Sequence, residues 1–486
     1  MKYFVLVGLL LFNWSACKSV DEKKDKTELK LNQIQLIGSH NSYKLPIQPE
    51  LMQLLEEIQP EQARALDYGH FPIWEQLDMG IRVFELDVFD DPKGGQFAAP
   101  AGHLLLQEAG QEVLPLVEPH KWEEPGLKVM HVQDIDFRAH HATFTDYLME
   151  LKVWSEFHPN HLPVFISINA KDQTFPDKRF TPALPFGSEG LARIDKEIAA
   201  VFPEEKLLLP AQVKGEFETL EKAIKENAWP SLSDARGRFL FILDETGEKM
   251  NQYIALDSSF QSQRMFVIPE PGHPLSGILF LNDPVAQEED ISEWVKRGYM
   301  VRTLADSETK EARDNDTLRR EKAFSSGAQL VSTDYYVPDS RFSSYAVRFP
   351  GNNFKRPNPL TASQKSSNKL DEPVPEGLVG VSAESFKWAM ENGMGRILDV
   401  RTVEELKEGV IGEVEHLDFM GEDFEKGLAD LSKEGPFLVY CKVGGRSEKA
   451  GKKMLEMGFE RVYHLEGGID KWKEKGIGVV PYRNNQ

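Results

Sequence analysis

An alternation of apolar segments with helical patterns, from residue 34 to about residue 349, constrains the fold more than any other feature of the sequence. The apolar segments have the length of strands, and between them Leu148, Leu151 and Trp154 recur at the spacing of one helix face. Such alternation predicts βα units around a parallel sheet. The predicted strands span 34–38, 81–88, 127–132, 163–169, 238–244, 277–282, 298–303 and 328–333, with 265–268 as a rival for the sixth place. Eight strands with intervening helices favour a TIM barrel, (β/α)8, over a doubly wound sheet.

The composition changes after this region, and a second domain follows. Residues 350–377 are rich in Asn, Pro, Ser and Lys. Polar segments of this kind lack the apolar residues that a core needs, so we predict a linker there. Shorter strand patterns then recur at 396–400, 437–440 and 461–465. The sequence therefore predicts a barrel over 32–349, a linker over 350–377 and a small α/β domain over 378–480.

The N-terminus has the features of an export signal. Met1-Lys2 precedes an apolar stretch that leads to Trp14-Ser15-Ala16-Cys17. A charged start, an apolar segment and small residues before a cleavage site are typical of a signal peptide, and Cys17 after Ser-Ala is similar to the lipobox of bacterial lipoproteins. We expect residues 1–17 to be that signal, with Cys17 acylated, and the charged residues 18–31 to be a tether. Plain secretion is the alternative.

This signal predicts a protein of the cell envelope, lipid-anchored to the outer membrane or facing the periplasm. Beyond it, no apolar run approaches the roughly 20 residues of a membrane-spanning helix. The formal net charge of -21 argues against DNA or RNA as a partner, because nucleic-acid affinity depends on clustered Lys and Arg. The two cysteines of the chain are Cys17 and Cys441. Acylation of Cys17 would leave Cys441 as the sole free thiol.

Polar side chains stand at the predicted strand ends, where a barrel of this kind carries its reactive groups. The first strand leads to His40-Asn41, the second contains Glu85 and Asp87, and the third ends at His131. Phosphodiester cleavage needs a proton acceptor, a proton donor and a cation, and two histidines can supply the first two. Glu85 and Asp87 point to the same side of a strand and, with Asn41, form an oxygen cluster suited to Ca²⁺. Taken alone, each residue fits an ordinary polar strand end better than a catalytic site.

As a set, these residues resemble the calcium-dependent phosphatidylinositol-specific phospholipases C, in particular the bacterial C1-like group. The resemblance implies that His40 and His131 are the catalytic histidines, that Glu85 shares the base role, and that Asn41, Glu85 and Asp87 bind Ca²⁺. It also implies a phospholipid or another inositol phosphodiester as substrate, which attack by the ring's own hydroxyl would convert to a cyclic phosphate. Other stretches similar to this group are Leu66-Asp67-Tyr68, Glu75-Gln76-Leu77-Asp78, His131 to Asp136 and Ser332-Thr333-Asp334-Tyr335.

One position departs from the family pattern. After the fourth predicted strand the animal enzymes place a Glu calcium ligand, and this chain has Asn169. An amide in place of a carboxylate predicts weaker calcium binding, positive charge supplied by Lys171 instead, or lost activity. Arg302, near the end of the seventh predicted strand, is a candidate for binding the substrate phosphate, and pairing with a carboxylate is an equal alternative.

Two other functions remain open for the barrel. A glycerophosphodiesterase has the same barrel fold, a bound metal and a pair of catalytic histidines. It more usually carries an extra acidic pair around the first strand, which the segment Ser39-His40-Asn41 lacks. A non-catalytic barrel that binds a head group, with the second domain as an interaction module, is favoured by Asn169 and opposed by the intact histidines.

Cys441 closes a predicted strand and opens the loop Cys441-Lys442-Val443-Gly444-Gly445-Arg446, which a helical pattern follows. Strand, glycine-rich loop and helix place a sulfur at a positive helix end, where a thiolate or persulfide is stabilised. Gly444 and Gly445 let the backbone wrap an anion, and Lys442 and Arg446 add positive charge. A buried, inert cysteine is the alternative.

This second domain resembles a single-domain rhodanese, on the strength of Asp399-Val400-Arg401, the Cys441 loop and Leu465-Glu466-Gly467-Gly468. The resemblance implies that Cys441 carries a persulfide within the loop amides, and that a sulfane-sulfur donor such as thiosulfate is a substrate. The loop has four residues between Cys441 and Arg446, one fewer than a tyrosine-phosphatase loop, which favours sulfur over phosphate. Val410 stands where rhodaneses commonly have His.

Overall fold

A computed structural model describes residues 28–363, 370–372 and 378–483. The predicted signal peptide, Cys17 and most of the predicted tether lie outside the described residues. Within those residues, none of the helices has both the length and the apolar character needed to cross a membrane.

The first domain is a nearly closed parallel barrel of eight strands, which confirms the predicted fold class. Neighbouring barrel strands follow the order β6-β5-β4-β2-β1-β9-β8-β7, so β6 and β7 are the two terminal strands of this order. The ten strands of this domain are β1 (Ile34–Ser39), β2 (Val83–Asp91), β3 (Gly126–Val129), β4 (Val164–Ala170), β5 (Phe239–Leu243), β6 (Met265–Phe266), β7 (Ile278–Phe280), β8 (Met300–Leu304), β9 (Leu330–Thr333) and β10 (Lys355–Pro357).

Two predicted strands have different roles from those expected. The segment predicted as the third barrel strand is β3, which pairs antiparallel with β2, Val88 opposite Val129 and Asp91 opposite Gly126. Because β2 is nine residues long, its end extends past the barrel and offers a free edge to β3. The rival segment forms β6 and pairs with β5, so it is a barrel strand in addition to β7 and not instead of it.

Helices surround the strands and bury an apolar face against them. The predicted helix around Leu148, Leu151 and Trp154 is α5, whose three named side chains are all buried. The helices of this domain are α1 (Pro49–Ile58), α2 (Pro60–Leu66), α3 (Ile73–Met79), α4 (Ala101–Glu108), α5 (Phe144–Phe157), α6 (Ser188–Val201), α7 (Pro210–Lys214), α8 (Leu220–Lys225), α9 (Leu232–Ala235), α10 (Gly247–Ala255), α11 (Glu288–Lys296), α12 (Lys310–Asp314) and α13 (Leu318–Ser325).

The described part of the segment assigned to a linker packs on the barrel. Strand β10 pairs antiparallel with β1, and Phe354 and Asn358 are buried. Farther along, the Glu372 carboxylate forms ion pairs with Arg82 and, at 3.0 Å, with Lys355. These contacts with the barrel could not be predicted from the polar composition of the segment, because only a few of its side chains are buried.

The second domain is a five-stranded parallel sheet in the order β11-β15-β14-β12-β13, flanked by helices. The three strands predicted for it are β12, β14 and β15, and the short edge strands β11 and β13 were not predicted. The elements are β11 (Val379–Val381), α14 (Ala383–Glu391), β12 (Arg396–Asp399), α15 (Val403–Leu406), β13 (Glu415–His416), α16 (Phe424–Asp430), β14 (Phe437–Tyr440), α17 (Gly445–Glu456), β15 (Val462–Leu465) and α18 (Gly468–Glu474).

The two domains share an apolar contact built on α5. Val153 and Phe157 of this helix are fully buried in one cluster with Phe386 of α14. The Phe157 ring stacks on the Tyr463 ring of β15, with centroids 4.2 Å apart. Aromatic stacking in a buried setting adds to the stability that apolar burial supplies, so the second domain is docked on the barrel rather than only tethered to it.

Candidate active sites

His40 lies just beyond β1, between two carboxylates. Its Nδ1 lies 2.9 Å from Asp334 Oδ1, and its Nε2 lies 3.6 Å from Glu85 Oε1. Glu85 belongs to β2 and Asp334 follows β9, the two strands that flank β1 in the barrel. Burial lowers the pKa of His40, but Glu85 and Asp334 outweigh that effect and raise it to about 9. A cation bound to Glu85 would counteract part of this rise.

His131 follows β3 and is held in a similar way. Its Nδ1 lies 2.8 Å from Asp136 Oδ2, and its backbone N–H donates to the Asp136 carbonyl oxygen. Asp136 is fully buried, and its other oxygen lies 3.2 Å from the buried Nζ of Lys44. In both histidines a carboxylate beside Nδ1 favours the tautomer with the proton on that nitrogen. Nε2 is then the nitrogen that can exchange a proton with a substrate.

Three of the predicted calcium ligands lie along two neighbouring strands. Glu85 and Asp87 share one face of β2, and Asn169 of β4 is the direct partner of Asp87 in the parallel register. Asp87 Oδ1 is buried and has no hydrogen-bond partner. A buried carboxylate oxygen without a partner is costly unless a cation binds it.

The fourth predicted ligand, Asn41, is fixed by two tyrosines. Its backbone is left-handed, with φ 48°, which turns the chain sharply after His40. The side-chain amide nitrogen donates to Tyr68 Oη at 2.7 Å, and the Tyr43 hydroxyl donates to Asn41 Oδ1 at 3.2 Å. These bonds orient the amide oxygen, which retains a second lone pair for a metal ion.

Both candidate substrate-binding cations are paired to the predicted calcium ligands. The Arg302 guanidinium lies 2.5 Å from Glu85 Oε2 and also donates to Asn282 Oδ1 at 2.9 Å. Lys171 Nζ lies 3.1 Å from Asp87 Oδ2. Of the two roles considered for Arg302, the structure shows the pairing with a carboxylate. Lys171 places positive charge beside Asp87, which was one of the three alternatives for this site.

The oxygen set fits calcium, but as a site of low charge. Among residues 28–363, 370–372 and 378–483, no three His, Cys, Asp or Glu side chains lie close enough together to hold a metal ion. Ligation therefore requires the amide oxygens of Asn41 and Asn169 beside the carboxylates of Glu85 and Asp87. Ca²⁺ accepts such mixed carboxylate and carbonyl oxygens, and its affinity falls with fewer charged ligands.

Three acidic residues at the site were not predicted as functional. Asp334 and Asp136 orient the two histidines, and both stand in sequence stretches that resemble the family, which was the available signal. Asp244 directly follows β5, and its N–H donates to the Ile168 carbonyl oxygen of β4. Burial raises the pKa of Asp244 to about 7, with contributions from Glu85 and other carboxylates. The only feature of the sequence that could have pointed to Asp244 is its position as an acidic residue at the end of an apolar strand.

The Cys441 loop forms the second candidate site. Cys441 follows β14 and is fully buried, and its Sγ accepts a hydrogen bond from the Gly444 N–H at 3.2 Å. Gly444 has φ 92°, and a side chain there would meet the backbone nitrogen of Gly467 at 3.1 Å. Gly445 then begins α17, so the positive end of that helix lies beside the sulfur.

The two cations of this loop have carboxylate partners. Both terminal nitrogens of Arg446 lie 2.7 Å from the two Glu405 oxygens. Lys442 Nζ lies 3.9 Å from Glu408 Oε2. The expected positive charge is present but partly neutralised, and the Gly444 N–H is the direct hydrogen-bond donor to the sulfur. Val410 is buried and its backbone pairs with Val480, so this position contributes to packing.

Comparison with known proteins gives matches to both domains. A family model described as "Phosphoinositide phospholipase C, Ca2+-dependent" matches residues 29–359, and a "Rhodanese-like domain" model matches residues 382–475. A Bacillus subtilis protein described as "Putative sulfur carrier protein YrkF" is similar at 33% identity over 117 residues, 24% of this chain and 60% of that protein. A sulfurtransferase of Allochromatium vinosum is 29% identical over 84 residues, 17% of this chain and 77% of that protein.

Among solved structures, a calcium-dependent phosphoinositol-specific phospholipase C of a Pseudomonas species is similar at 16% identity and a TM-score of 0.41, covering 68% of this chain and 96% of that one. Of the first curated relative named above, the Bacillus subtilis protein, the chain spans 60% of the length. The phospholipase model alone covers more than half of the chain. The chain belongs to the family of calcium-dependent phosphoinositide phospholipases C, and a rhodanese-like domain is its second unit.

Proposed function

We propose that the barrel cleaves an inositol phosphodiester, with His40 and His131 as the proton-transfer pair. The observation that carries this proposal is the shared arrangement of the two histidines. Each has Nδ1 beside a buried carboxylate, Asp334 or Asp136, and each is partly exposed. A fixed tautomer with an accessible Nε2 is what general acid–base catalysis requires.

In the proposed reaction a free hydroxyl of the inositol ring attacks the phosphorus atom of the phosphodiester on the same ring. One histidine takes the proton of that hydroxyl at Nε2, and the other gives a proton to the departing alcohol oxygen. The new P–O bond closes a cyclic phosphate while the bond to the leaving alcohol breaks, so protons and electron pairs balance. Arg302 is the proposed cation for the phosphoryl oxygens, and substrate binding would have to draw it from Glu85.

Calcium bound at Asn41, Glu85, Asp87 and Asn169 would neutralise charge that develops on the phosphoryl oxygens. The chain's own contribution is to hold these oxygens in place. Strands β2 and β4 set Glu85, Asp87 and Asn169 in register, and Tyr43 and Tyr68 orient the Asn41 amide. Glu85 also contacts His40, which supports a share for Glu85 in the base role.

A substrate with an activated leaving group tests the histidine assignment. Such a leaving group needs little protonation, so it should restore turnover in the variant that lacks the general acid and not in the one that lacks the base. His40→Ala and His131→Ala are therefore measured with a 4-nitrophenyl ester and an alkyl ester of inositol phosphate. Equal and full activity of both variants on the alkyl ester would place the reaction elsewhere. A wild type inactive on every phosphodiester would favour a barrel that only binds head groups.

For the second domain we propose sulfur transfer through a Cys441 persulfide. The thiolate attacks the sulfane sulfur of a donor such as thiosulfate, an S–S bond forms, and sulfite leaves with the electron pair of the broken bond. A thiol or cyanide acceptor then removes the outer sulfur. The Gly444 N–H and the start of α17 support this role, because both stabilise an anion at Sγ. Cys441→Ser should abolish transfer from thiosulfate to cyanide, and unchanged transfer would contradict the assignment.

We also propose that the protein is attached to a membrane of the cell envelope by acyl groups on Cys17. The support is the charged, apolar and small-residue pattern of residues 1–17. Acyl chains contribute about 0.8 kcal/mol per buried methylene, enough for attachment without a spanning helix. Cys17→Ala should leave the protein unacylated and free of the membrane fraction. Membrane attachment of that variant after a high-salt wash would contradict the proposal.

A further inference from the structure

Two hydrogen bonds in series, each from a histidine ring to a backbone carbonyl oxygen, hold the backbone of His40. His70 Nε2 lies 2.7 Å from the His40 carbonyl oxygen, and His140 Nε2 lies 2.8 Å from the His70 carbonyl oxygen. Burial lowers the pKa of His70 and of His140 to about 4, so both rings are neutral at pH 7. A neutral ring that donates to a carbonyl must carry its proton on that nitrogen, so each bond fixes one tautomer.

Backbone hydrogen bonds reinforce this series. The His70 N–H donates to the Lys44 carbonyl oxygen at 2.8 Å, and the His140 N–H donates to the Tyr43 carbonyl oxygen at 3.1 Å. The segment that follows His40 is therefore fastened on two sides, by the loop around residue 70 and by the loop around residue 140. A shift of either loop must strain or break these bonds.

His141, the next residue along, connects this network to the second domain. Its ring lies 5.9 Å from the Trp388 ring of α14, centroid to centroid. On the barrel side, His141 Nδ1 lies 3.0 Å from Glu118 Oε1 and Nε2 lies 3.6 Å from the fully buried Glu150 Oε2. Trp388 thus contacts a histidine whose two carboxylate partners belong to the barrel.

We propose that Trp388 is a positioning residue for phosphodiester cleavage, acting from the second domain on the loop that fastens His40. This inference rests on the proposed catalytic role of His40. Trp388 limits the motion of His141, the adjacent His140 retains its bond to His70, and His70 retains its bond to the His40 backbone. The docked rhodanese domain would then complete the barrel's active site, which gives the fusion of the two domains a physical purpose.

Removal of the Trp388 ring should lower kcat and leave KM nearly unchanged. A loosened loop changes the distance between His40 Nε2 and the reacting oxygen, and general acid–base catalysis is sensitive to displacements below about 1 Å. We expect a loss of about tenfold in kcat. KM should change less than about twofold, because the candidate substrate-binding cations lie on other parts of the barrel, Arg302 in β8 and Lys171 just after β4.

The test uses the full chain with a water-soluble alkyl ester of inositol phosphate as probe, because its leaving group needs protonation and the rate then depends on both the general acid and the general base. Trp388→Ala is compared with Trp388→Phe, which keeps an aromatic ring on His141, and with Lys387→Ala, a neighbouring change on the same helix. Sulfur transfer from thiosulfate to cyanide, measured in each variant, shows whether the second domain is intact. The inference predicts a reduced kcat in Trp388→Ala only, with sulfur transfer unchanged in all three.

The outcomes separate this inference from the proposed function. An active wild type with the same kcat in Trp388→Ala, or a change confined to KM, would overturn the inference and leave the proposed function standing. A wild type without turnover would overturn the proposed function itself. If Trp388→Ala fails to fold, His140→Leu provides the second variant, because it removes the bond to His70 without touching the second domain. An unchanged kcat in His140→Leu would also overturn the inference.

Discussion

Replacement of Lys171 by methionine should tighten calcium binding, although the change removes a residue of the active site. Lys171 Nζ lies 3.1 Å from Asp87 Oδ2 and is 25% exposed. Burial lowers the pKa of Lys171, but Asp87 outweighs that effect and the net shift is upward, so the ammonium is charged at neutral pH. A calcium ion that binds Asp87 must therefore displace or tolerate this charge.

The magnitude follows from the geometry of the pair. Two unit charges 3.1 Å apart attract by about 5 kcal/mol at an effective dielectric constant of about 20. Desolvation of both groups and exposure of Lys171 offset most of this, leaving a net pair strength of about 1–2 kcal/mol. Since about 1.4 kcal/mol is a factor of ten, Lys171→Met should lower the Kd for Ca²⁺ about 5- to 30-fold.

Isothermal titration calorimetry with CaCl₂ measures this directly. Lys178→Met is the matched control, because Lys178 lies in the same loop and is exposed. We expect no change in Kd for the control. A Lys171→Met variant whose calcium affinity equals or falls below that of the wild type would refute the competition between lysine and metal.

Three further predictions address the site and the fold. Asn169→Glu should tighten calcium binding in calorimetry, because it adds a carboxylate beside Asp87; no binding in wild type or variant would contradict the calcium assignment. Asp334→Asn should lower kcat by about 10²–10⁴-fold through loss of the His40 tautomer, and wild-type turnover would exclude that role. Arg82 lowers the pKa of Glu372 to about 2, so Glu372→Gln should cost about 2–3 kcal/mol in denaturant unfolding at pH 7. The stabilisation from a depressed carboxylate pKa is fully present above the unfolded pKa and is lost as pH falls to the folded pKa. The difference between Glu372→Gln and wild type should therefore shrink as pH falls from about 4.5 to 2; a constant difference would contradict this.

The barrel could be predicted from the sequence because its strands are buried on both faces. Such strands appear as continuous apolar runs, as in 239–243, and the helices between them show a clear period of 3.6 residues. The difference between β3 and a barrel strand could not be predicted. Both have the same composition, and only the length of β2 beyond the barrel provides the antiparallel edge on which β3 pairs.

Site residues were predictable where family motifs mark strand ends, and the pairings among them were not. His40, Glu85 and His131 could be named from their places in the sequence. The partners Asp334 and Lys171 are 294 and 84 residues from His40 and Asp87, and only the closed barrel brings each pair together. The contact of His141 with Trp388 depends on how one domain docks on the other, which no local pattern encodes.

The most direct test of this account is turnover of phosphatidylinositol by the full chain, with Ca²⁺ present and after chelation by EGTA. Water-soluble inositol phosphate and its cyclic form are quantified by ³¹P NMR, with a glycerophosphodiester as the comparison substrate. The account predicts release of the cyclic phosphate with Ca²⁺, loss of that activity in EGTA, and little turnover of the glycerophosphodiester. Equal rates with and without Ca²⁺, or turnover of the glycerophosphodiester alone, would contradict it.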